Sequence, residues 1–267
     1  MKTILLTGAT DGIGLEAAGR LVALGHKVLL HGRNPQKLAA LRAELGEAHG
    51  EDMIETYVAD LSDLKAVAAM SGAVSATHAR IDVLINNAGV FKTPDPVAAN
   101  GLDVRFVVNT LAPMLLSSRL AGVIAPGGRI VNLSSAAQAP VDLEALQGRG
   151  HLADNAAYAQ SKLALTMWSN QYAEEVQGDG VMVVAVNPGS LLATKMVKEG
   201  YGIAGGDIGI GAEILVRAAL SDEFADASGK YFDNDSRRFA DPHPDALDKA
   251  KRAQLVDVLN GLIRRHA

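Results

Sequence analysis

Three features of the 267-residue chain predict an α/β fold, a single doubly wound parallel sheet of about seven strands with helices on both faces. Apolar runs of strand length alternate with helical patterns from the first residue onward. Most of those runs are nearly continuous in Val, Ile and Leu, as strands covered on both faces should be. A turn with three glycines joins the first strand directly to the first helix.

Taken in order, strands are expected at Thr3–Thr7, Lys27–Leu30, Ile54–Val58, Val83–Asn86, Arg129–Leu133, Val181–Val186 and Lys230–Phe232. Helices are expected over about 13–24, 35–46, 62–77, 100–125, 155–177, 209–221 and 245–264. Right-handed crossovers then close the sheet. No repeat, low-complexity tract or linker interrupts the pattern, so residues 1–267 form one domain. The last helix spaces Leu247, Leu255, Val258, Leu259, Leu262 and Ile263 along one side, for packing on the body or on a second subunit.

Composition excludes several classes of function. A net charge of −5 with no basic run offers nothing to nucleic acid or to an anionic membrane. Without cysteine there is no disulfide, thiolate nucleophile or Cys-ligated metal. The seven histidines show no metal-ligand spacing, so no metal is expected. No apolar run approaches the ~20 residues that span a bilayer. The chain is therefore expected to be cytoplasmic.

The glycine turn reads Thr7-Gly8-Ala9-Thr10-Asp11-Gly12-Ile13-Gly14. Glycines there let the backbone approach a pyrophosphate that the helix N-terminus attracts. This makes Gly8, Thr10, Asp11, Gly12, Ile13 and Gly14 candidate cofactor contacts, although the spacing is TGxxxGxG rather than GxGxxG. The second strand ends in His31-Gly32-Arg33-Asn34, without the carboxylate that reads the ribose of NAD. Arg33 stands where a guanidinium can pair with a 2′-phosphate, which favours NADP over NAD; otherwise it is a solvated loop residue. Asp60, beside Leu61, is placed to accept from an adenine amine or to cap the following helix. Asn87-Ala88-Gly89 closes the fourth strand at the edge where such sheets bind ligands.

Tyr158 and Lys162 lie one helical turn apart, in a segment where Lys162 is the only charge between Asn155 and Ala173. A phenol titrates near ~10, too high for ready proton transfer at neutral pH. An ammonium held close favours the phenolate, each pKa unit being about 1.4 kcal/mol, and so makes a usable acid/base. The bland reading of a bare YxxxK is a chance spacing with Lys162 snorkelling outward.

TGATDGIG, NNAG, the Asn109 of VVNTLAP, IVNLSS, YAQSK and NPGS follow one another between residues 7 and 190. As an ordered set they resemble the short-chain dehydrogenase/reductase family, a Rossmann-type fold that uses NAD(P)H without metal. The resemblance implies a catalytic tetrad of Asn109, Ser135, Tyr158 and Lys162. Tyr158 would move the hydroxyl proton and Lys162 would hold the nicotinamide ribose. Ser135, rather than its neighbour Ser134, would bond the carbonyl oxygen, and Asn109 would hold the backbone and water of a proton relay. Pro188 and Gly189 would meet the nicotinamide carboxamide. Thr194 would meet the cofactor or simply cap a helix. The 22 residues from 136 to 157 exceed the family's usual spacing, and with AYAQSKLA they are similar to the retinol dehydrogenase and protochlorophyllide reductase-like branch. Glycine-rich residues 191–211 read as a mobile cover or an ordinary surface loop, with Leu191, Leu192, Met196 and Val197 as an apolar wall.

The resemblance implies an NADP-dependent oxidoreductase that interconverts an alcohol and a carbonyl of a small, apolar molecule by hydride transfer. The alternative is a catalytically idle NADP-binding sensor or scaffold. The sparsely charged segments around Tyr158 and before Pro126 point to a homo-oligomer, a dimer or tetramer.

Overall fold

The computed structural model describes residues 1–267, apart from the side chain of Tyr201. One sheet runs in the order β3-β2-β1-β4-β5-β6-β7-β8. Its strands are β1 (Thr3–Leu6), β2 (Lys27–Gly32), β3 (Ile54–Val58), β4 (Ile81–Asn86), β5 (Ile124–Leu133), β6 (Met182–Asn187), β7 (Tyr231–Asp233) and β8 (Arg238–Ala240). Strands β1 to β7 are parallel and β8 returns antiparallel. The short eighth strand adds to the about seven expected. Three residues with an exposed Arg238 give no apolar run to detect, and the turn before it uses Arg237 at φ 54°.

Alternation along each strand divides the core. Ile4, Leu6, Val28, Leu30, Val83, Ile85, Val131 and Val184 face α1 (Gly12–Ala23), α2 (Pro35–His49) and α9 (Ile208–Leu220). Leu5, Leu29, Leu84, Ile130 and Val183 face the opposite layer. That layer contains α3 (Leu64–Thr77), α5 (Ala112–Leu120), α7 (Asp154–Glu175) and α11 (Lys249–His266). Each fully buried side chain of this kind contributes about 1.5–3 kcal/mol.

The helix expected over 100–125 is broken. Its helical part runs from α4 (Val104–Phe106) through a π-helical turn at Val107–Leu111 into α5. The helix expected over 245–264 divides into α10 (Pro244–Leu247) and α11, because Asp248 accepts from the N–H groups of Ala250 and Lys251 and restarts the helix. Two short helices lie outside the expected spans: α6 (Leu143–Leu146), capped by Asp142, and α8 (Lys195–Tyr201), which Thr194 caps. The latter lies within the stretch read as a glycine-rich cover.

The bare face of α7 is covered by its own chain. Leu255, Leu259 and Leu262 of α11 share a buried cluster with Met167, Trp168 and Tyr172. Its low charge, read above as a subunit contact, is accounted for within one chain. Among the described residues no helix is long and apolar enough to cross a membrane.

Candidate active site

Sheet order reverses direction between β1 and β4, and the crevice at their carboxyl ends is where ligands of doubly wound sheets bind. The side chain of Asn87 donates to the carbonyls of Thr7 (2.8 Å) and Gly8 (3.2 Å) there. The Thr7 hydroxyl accepts in return from the N–H groups of Asn87 and Ala88, at 3.0 and 3.1 Å. These bonds stitch NNAG to the glycine turn. A cleft of about 760 Å³ opens above them.

The end beside the glycine turn is built close to the backbone. A Cβ on Gly14 would stand 2.2 Å from the Gly8 carbonyl oxygen, so only glycine lets α1 begin so near the turn. The side chain of Asp11 makes no capping bond to α1, which leaves the first N–H groups of that helix available to an anion. The Asp11 carboxylate lies 4.0 Å from the Lys37 ammonium. Arg33 and Lys37 line the same rim. Lys37 escaped the sequence reading because nothing distinguishes it from an ordinary helix-surface lysine. Asn34 lines the cleft and caps α2 by accepting from Lys37 N–H at 2.9 Å.

His31 was also missed. It is buried beneath the turn, where Nδ1 accepts from Gly8 N–H (3.2 Å) and Nε2 donates to the Ala59 carbonyl (3.1 Å). Burial lowers its pKa, overcoming the opposing influence of Ala59 and Asp60. The neutral ring thus ties β2 to the glycine turn and to the end of β3. Asp60 and Leu61 line the cleft, but Asp60 caps no helix: it accepts from Ser62, and Asp63 caps α3.

Residues of the other end come from distant segments. Tyr158, Lys162 and Ser135 line the cleft together with Ala88, Gly89, Pro188, Gly189 and Thr194. Lys162 is only 4% exposed and does not snorkel outward. Its Nζ lies 5.8 Å from the Tyr158 ring centroid and donates to the Leu133 carbonyl at 2.6 Å. Burial brings this ammonium down to about 8. The start of α7 is held by the buried Arg105, whose guanidinium bonds both Asp103 oxygens (2.8 and 2.6 Å) and also Asp154. Deeper down, Asn86 donates to Asn132 (2.8 Å) and Asn132 to Ser169 (2.9 Å), a buried ladder from β4 across β5 to α7.

The two serines separate as strand alternation predicts. Ser134 turns into α7, 2.6 Å from the Thr166 hydroxyl and 3.3 Å from the Lys162 carbonyl. Ser135 remains partly open to the cleft, its hydroxyl accepting from Ala137 N–H at 3.1 Å. Asn109 sits in the π-helical turn, fully buried behind the cleft wall rather than on it. Its amide accepts from Val90 N–H (2.8 Å) and donates to the Val90 carbonyl (2.9 Å) and the Ser161 hydroxyl (2.9 Å).

Part of the glycine-rich stretch packs on the cleft. Thr194 accepts from Val197 N–H at 3.2 Å and so caps α8, while also facing Gly12 across the cleft. A Cβ on Gly200 would meet the Phe91 ring at 2.4 Å, so α8 rests directly on that ring. Phe91 in turn packs edge-on against Tyr158, with centroids 5.0 Å apart. Leu191, Leu192, Met196 and Val197 add apolar wall beside it. No cluster of three or more acidic or histidine side chains suited to a metal occurs among the described residues.

These features fit a dinucleotide: a glycine cradle, an uncapped helix start, two cations at one rim and a buried ammonium at the other end. Comparison with known proteins agrees. The short chain dehydrogenase family pattern matches residues 2–201. Human retinol dehydrogenase 13 is 31% identical over 274 aligned residues, covering 94% of this chain and 82% of the relative. Polyprenol dehydrogenase of Danio rerio is 35% identical over 198 residues, covering 70% and 61%. Among solved structures, a short chain dehydrogenase from Burkholderia cenocepacia in complex with NADP is 28% identical. It has a TM-score of 0.69 and covers 87% of this chain and 95% of that one. A Mycobacterium paratuberculosis protein matches with a TM-score of 0.82 over 99% of this chain and 94% of its own; at 23% identity it speaks to the fold alone.

Proposed function

The chain belongs to the short-chain dehydrogenase family, in its retinol dehydrogenase-like branch, and from that premise we propose that it is an NADP-dependent oxidoreductase interconverting an alcohol and a carbonyl. The observation that carries this reading is the convergence of Tyr158, Lys162 and Ser135 on the cleft that the glycine turn opens.

NADPH, when bound, supplies the hydride. Tyr158 gives its phenolic proton to the substrate oxygen during reduction and takes it back during oxidation. Ser135 donates to the same oxygen, where negative charge develops. Lys162 holds the nicotinamide ribose hydroxyls and favours the phenolate of Tyr158 electrostatically. Asn109 fixes both the N–H and the carbonyl of Val90 and holds Ser161, thereby ordering the wall along which a proton reaches bulk water.

Arg33 and Lys37 at one rim, with no carboxylate ending β2, support NADP over NAD. The NADP bound in the Burkholderia cenocepacia relative supports the same choice. Phe91, Leu192, Met196 and Val197 support an apolar substrate. The named activities of the two relatives, on retinol and polyprenol, are in keeping with one.

The test is a panel of apolar ketones, aldehydes and alcohols assayed with NADP(H) and NAD(H), together with Tyr158→Phe. We expect turnover with NADP(H), reduced about 100- to 10,000-fold in Tyr158→Phe while NADPH affinity persists. NADPH binding with no turnover across the panel would favour an idle binder, and undiminished turnover by Tyr158→Phe would overturn the assignment of roles.

A further inference from the structure

The family pattern ends at residue 201, yet the cleft is held by side chains beyond it. The segment Asn187–Ser190 leaves β6 and lines the nicotinamide side of the cleft, with Gly189 at φ 118°. It precedes Leu191, a non-glycine residue at φ 52°. Backbone in that left-handed region costs about 1–3 kcal/mol and persists only where its surroundings hold it.

The β7–β8 turn provides that hold. The two hydrogens of the Asn187 amide go to two carboxylates, Asp233 Oδ1 at 2.8 Å and Asp235 Oδ2 at 2.9 Å. Asp235 also accepts from Ser190 N–H at 2.8 Å and from the Ser190 hydroxyl at 2.6 Å. Asn234, largely buried, donates to the Pro188 carbonyl at 2.9 Å. One strand back, the Tyr231 hydroxyl donates to the carbonyl of Ser135 at 3.0 Å, and burial raises the Tyr231 pKa so that it stays a donor. The same short hairpin therefore touches the backbone of the Pro188–Gly189 turn and that of the serine proposed to bond the substrate oxygen.

We propose that this hairpin is a positioning device for the nicotinamide half of the cleft, with Asp235 as its principal residue. Only an ionised carboxylate accepts all three of the bonds that Asp235 receives. An amide at that position keeps a single acceptor oxygen and presents an N–H group to donors. Asp235 touches neither cofactor nor reacting atoms; it acts through Ser190 and Asn187. Among the described residues no hydrogen bond of this hairpin reaches residues 8–14, so loosening the hairpin affects one half of the site.

This inference rests on the oxidoreductase reading for its kinetic consequences but not for its structural one. The experiment compares the full chain with Asp235→Ala and Asp235→Asn in three measurements. In the unliganded protein, amide exchange at Gly189–Ser190 should rise in Asp235→Ala while that of Gly8–Gly14 is unchanged. NADPH affinity should fall about three- to tenfold, with the affinity for 2′,5′-ADP, which carries only the adenosine half, unchanged. Single-turnover hydride transfer should slow about tenfold, in line with the cost of sub-ångström misplacement. Asp235→Asn should fall between the two, and it carries the test if Asp235→Ala does not fold. Unchanged exchange at Gly189–Ser190, or equal losses for NADPH and 2′,5′-ADP, would overturn the proposal. If the unmodified chain bound no NADPH, the oxidoreductase reading would fail, and the exchange measurement alone would still judge the hairpin.

Discussion

At the adenosine end, the cleft is walled by residues 8–14, 31–37 and 59–61, three turns that follow successive strands of one βαβαβ unit. At the nicotinamide end the walls come from residues 87–92, 133–137, 158–162 and 187–199, held by contacts up to 96 positions apart. The first region depends on close backbone approach, with Gly14 against Gly8 and one histidine beneath them. The second depends on buried polar side chains that each serve two elements, such as Asn109, Arg105 and Asn187. A ligand-binding half can thus be specified by local chain geometry, whereas the reacting half needs the finished sheet to bring its parts together.

Four substitutions would break or sharpen that contrast. Lys162→Met should have the largest effect, lowering turnover about 100- to 1,000-fold through loss of electrostatic support at the reacting end. With the native lysine at about 8 in the unliganded chain, its ammonium is present below that pH and lost above it. The kcat/KM for reduction, which reports the free enzyme, should therefore decline above about pH 8. Next, Gly14→Ala places a methyl against the Gly8 carbonyl. Overpacking of about 1–3 kcal/mol should weaken NADPH and 2′,5′-ADP alike, about 5- to 150-fold by fluorescence titration. Equal weakening is what a monolithic adenosine end requires, and selective loss of NADPH alone would contradict it.

Arg33→Ala should weaken NADPH about tenfold, the cost of one charge-assisted hydrogen bond, and leave NADH nearly unchanged. A residual preference for NADPH would measure Lys37, which lines the same rim. The smallest effect concerns His31. Its pKa in the native chain is lowered by burial, so below about 6.5 the unfolded chain takes up a proton that the folded chain does not. Stability should fall as pH drops from about 6.5 and level off once the native pKa is passed, by about 1.4 kcal/mol for each unit of lowering. Melting temperatures of the native chain and His31→Gln, followed from pH 7.5 to 5 (a range of about 2.5 units around the ordinary histidine value), should converge toward acid if this is so.

The strands of the parallel sheet were legible because both faces of each are buried, and the resulting runs of Val, Ile and Leu need no partner to be recognised. Ile54–Val58 coincides with its expected bounds, whereas β5 begins at Ile124, five residues before the expected start. Pro126, Gly127 and Gly128 interrupt its apolar run and hide that first part. The π-helical turn at Asn109 escaped notice for a related reason: VVNTLAP carries an ordinary helical pattern. The Asn109 side chain within that turn bonds Val90 and Ser161, partners that the local sequence does not show. The subunit contact inferred from α7 met the same limit, since a bare helix face does not say whether a second chain or α11 covers it.

By itself the sequence determined the alternating architecture, the glycine cradle at Gly8–Gly14, the cation at Arg33 and the one-turn spacing of Tyr158 and Lys162. Each of these is written in neighbouring residues, through side-chain period, turn chemistry or helical pitch. The tertiary structure decided that Ser134 meets Thr166 of α7, that His31 underlies the glycine turn, and that Asp235 grips Ser190. Those relations join residues 23 to 45 positions apart, and they come into being only when strand order and register have fixed which ends lie side by side.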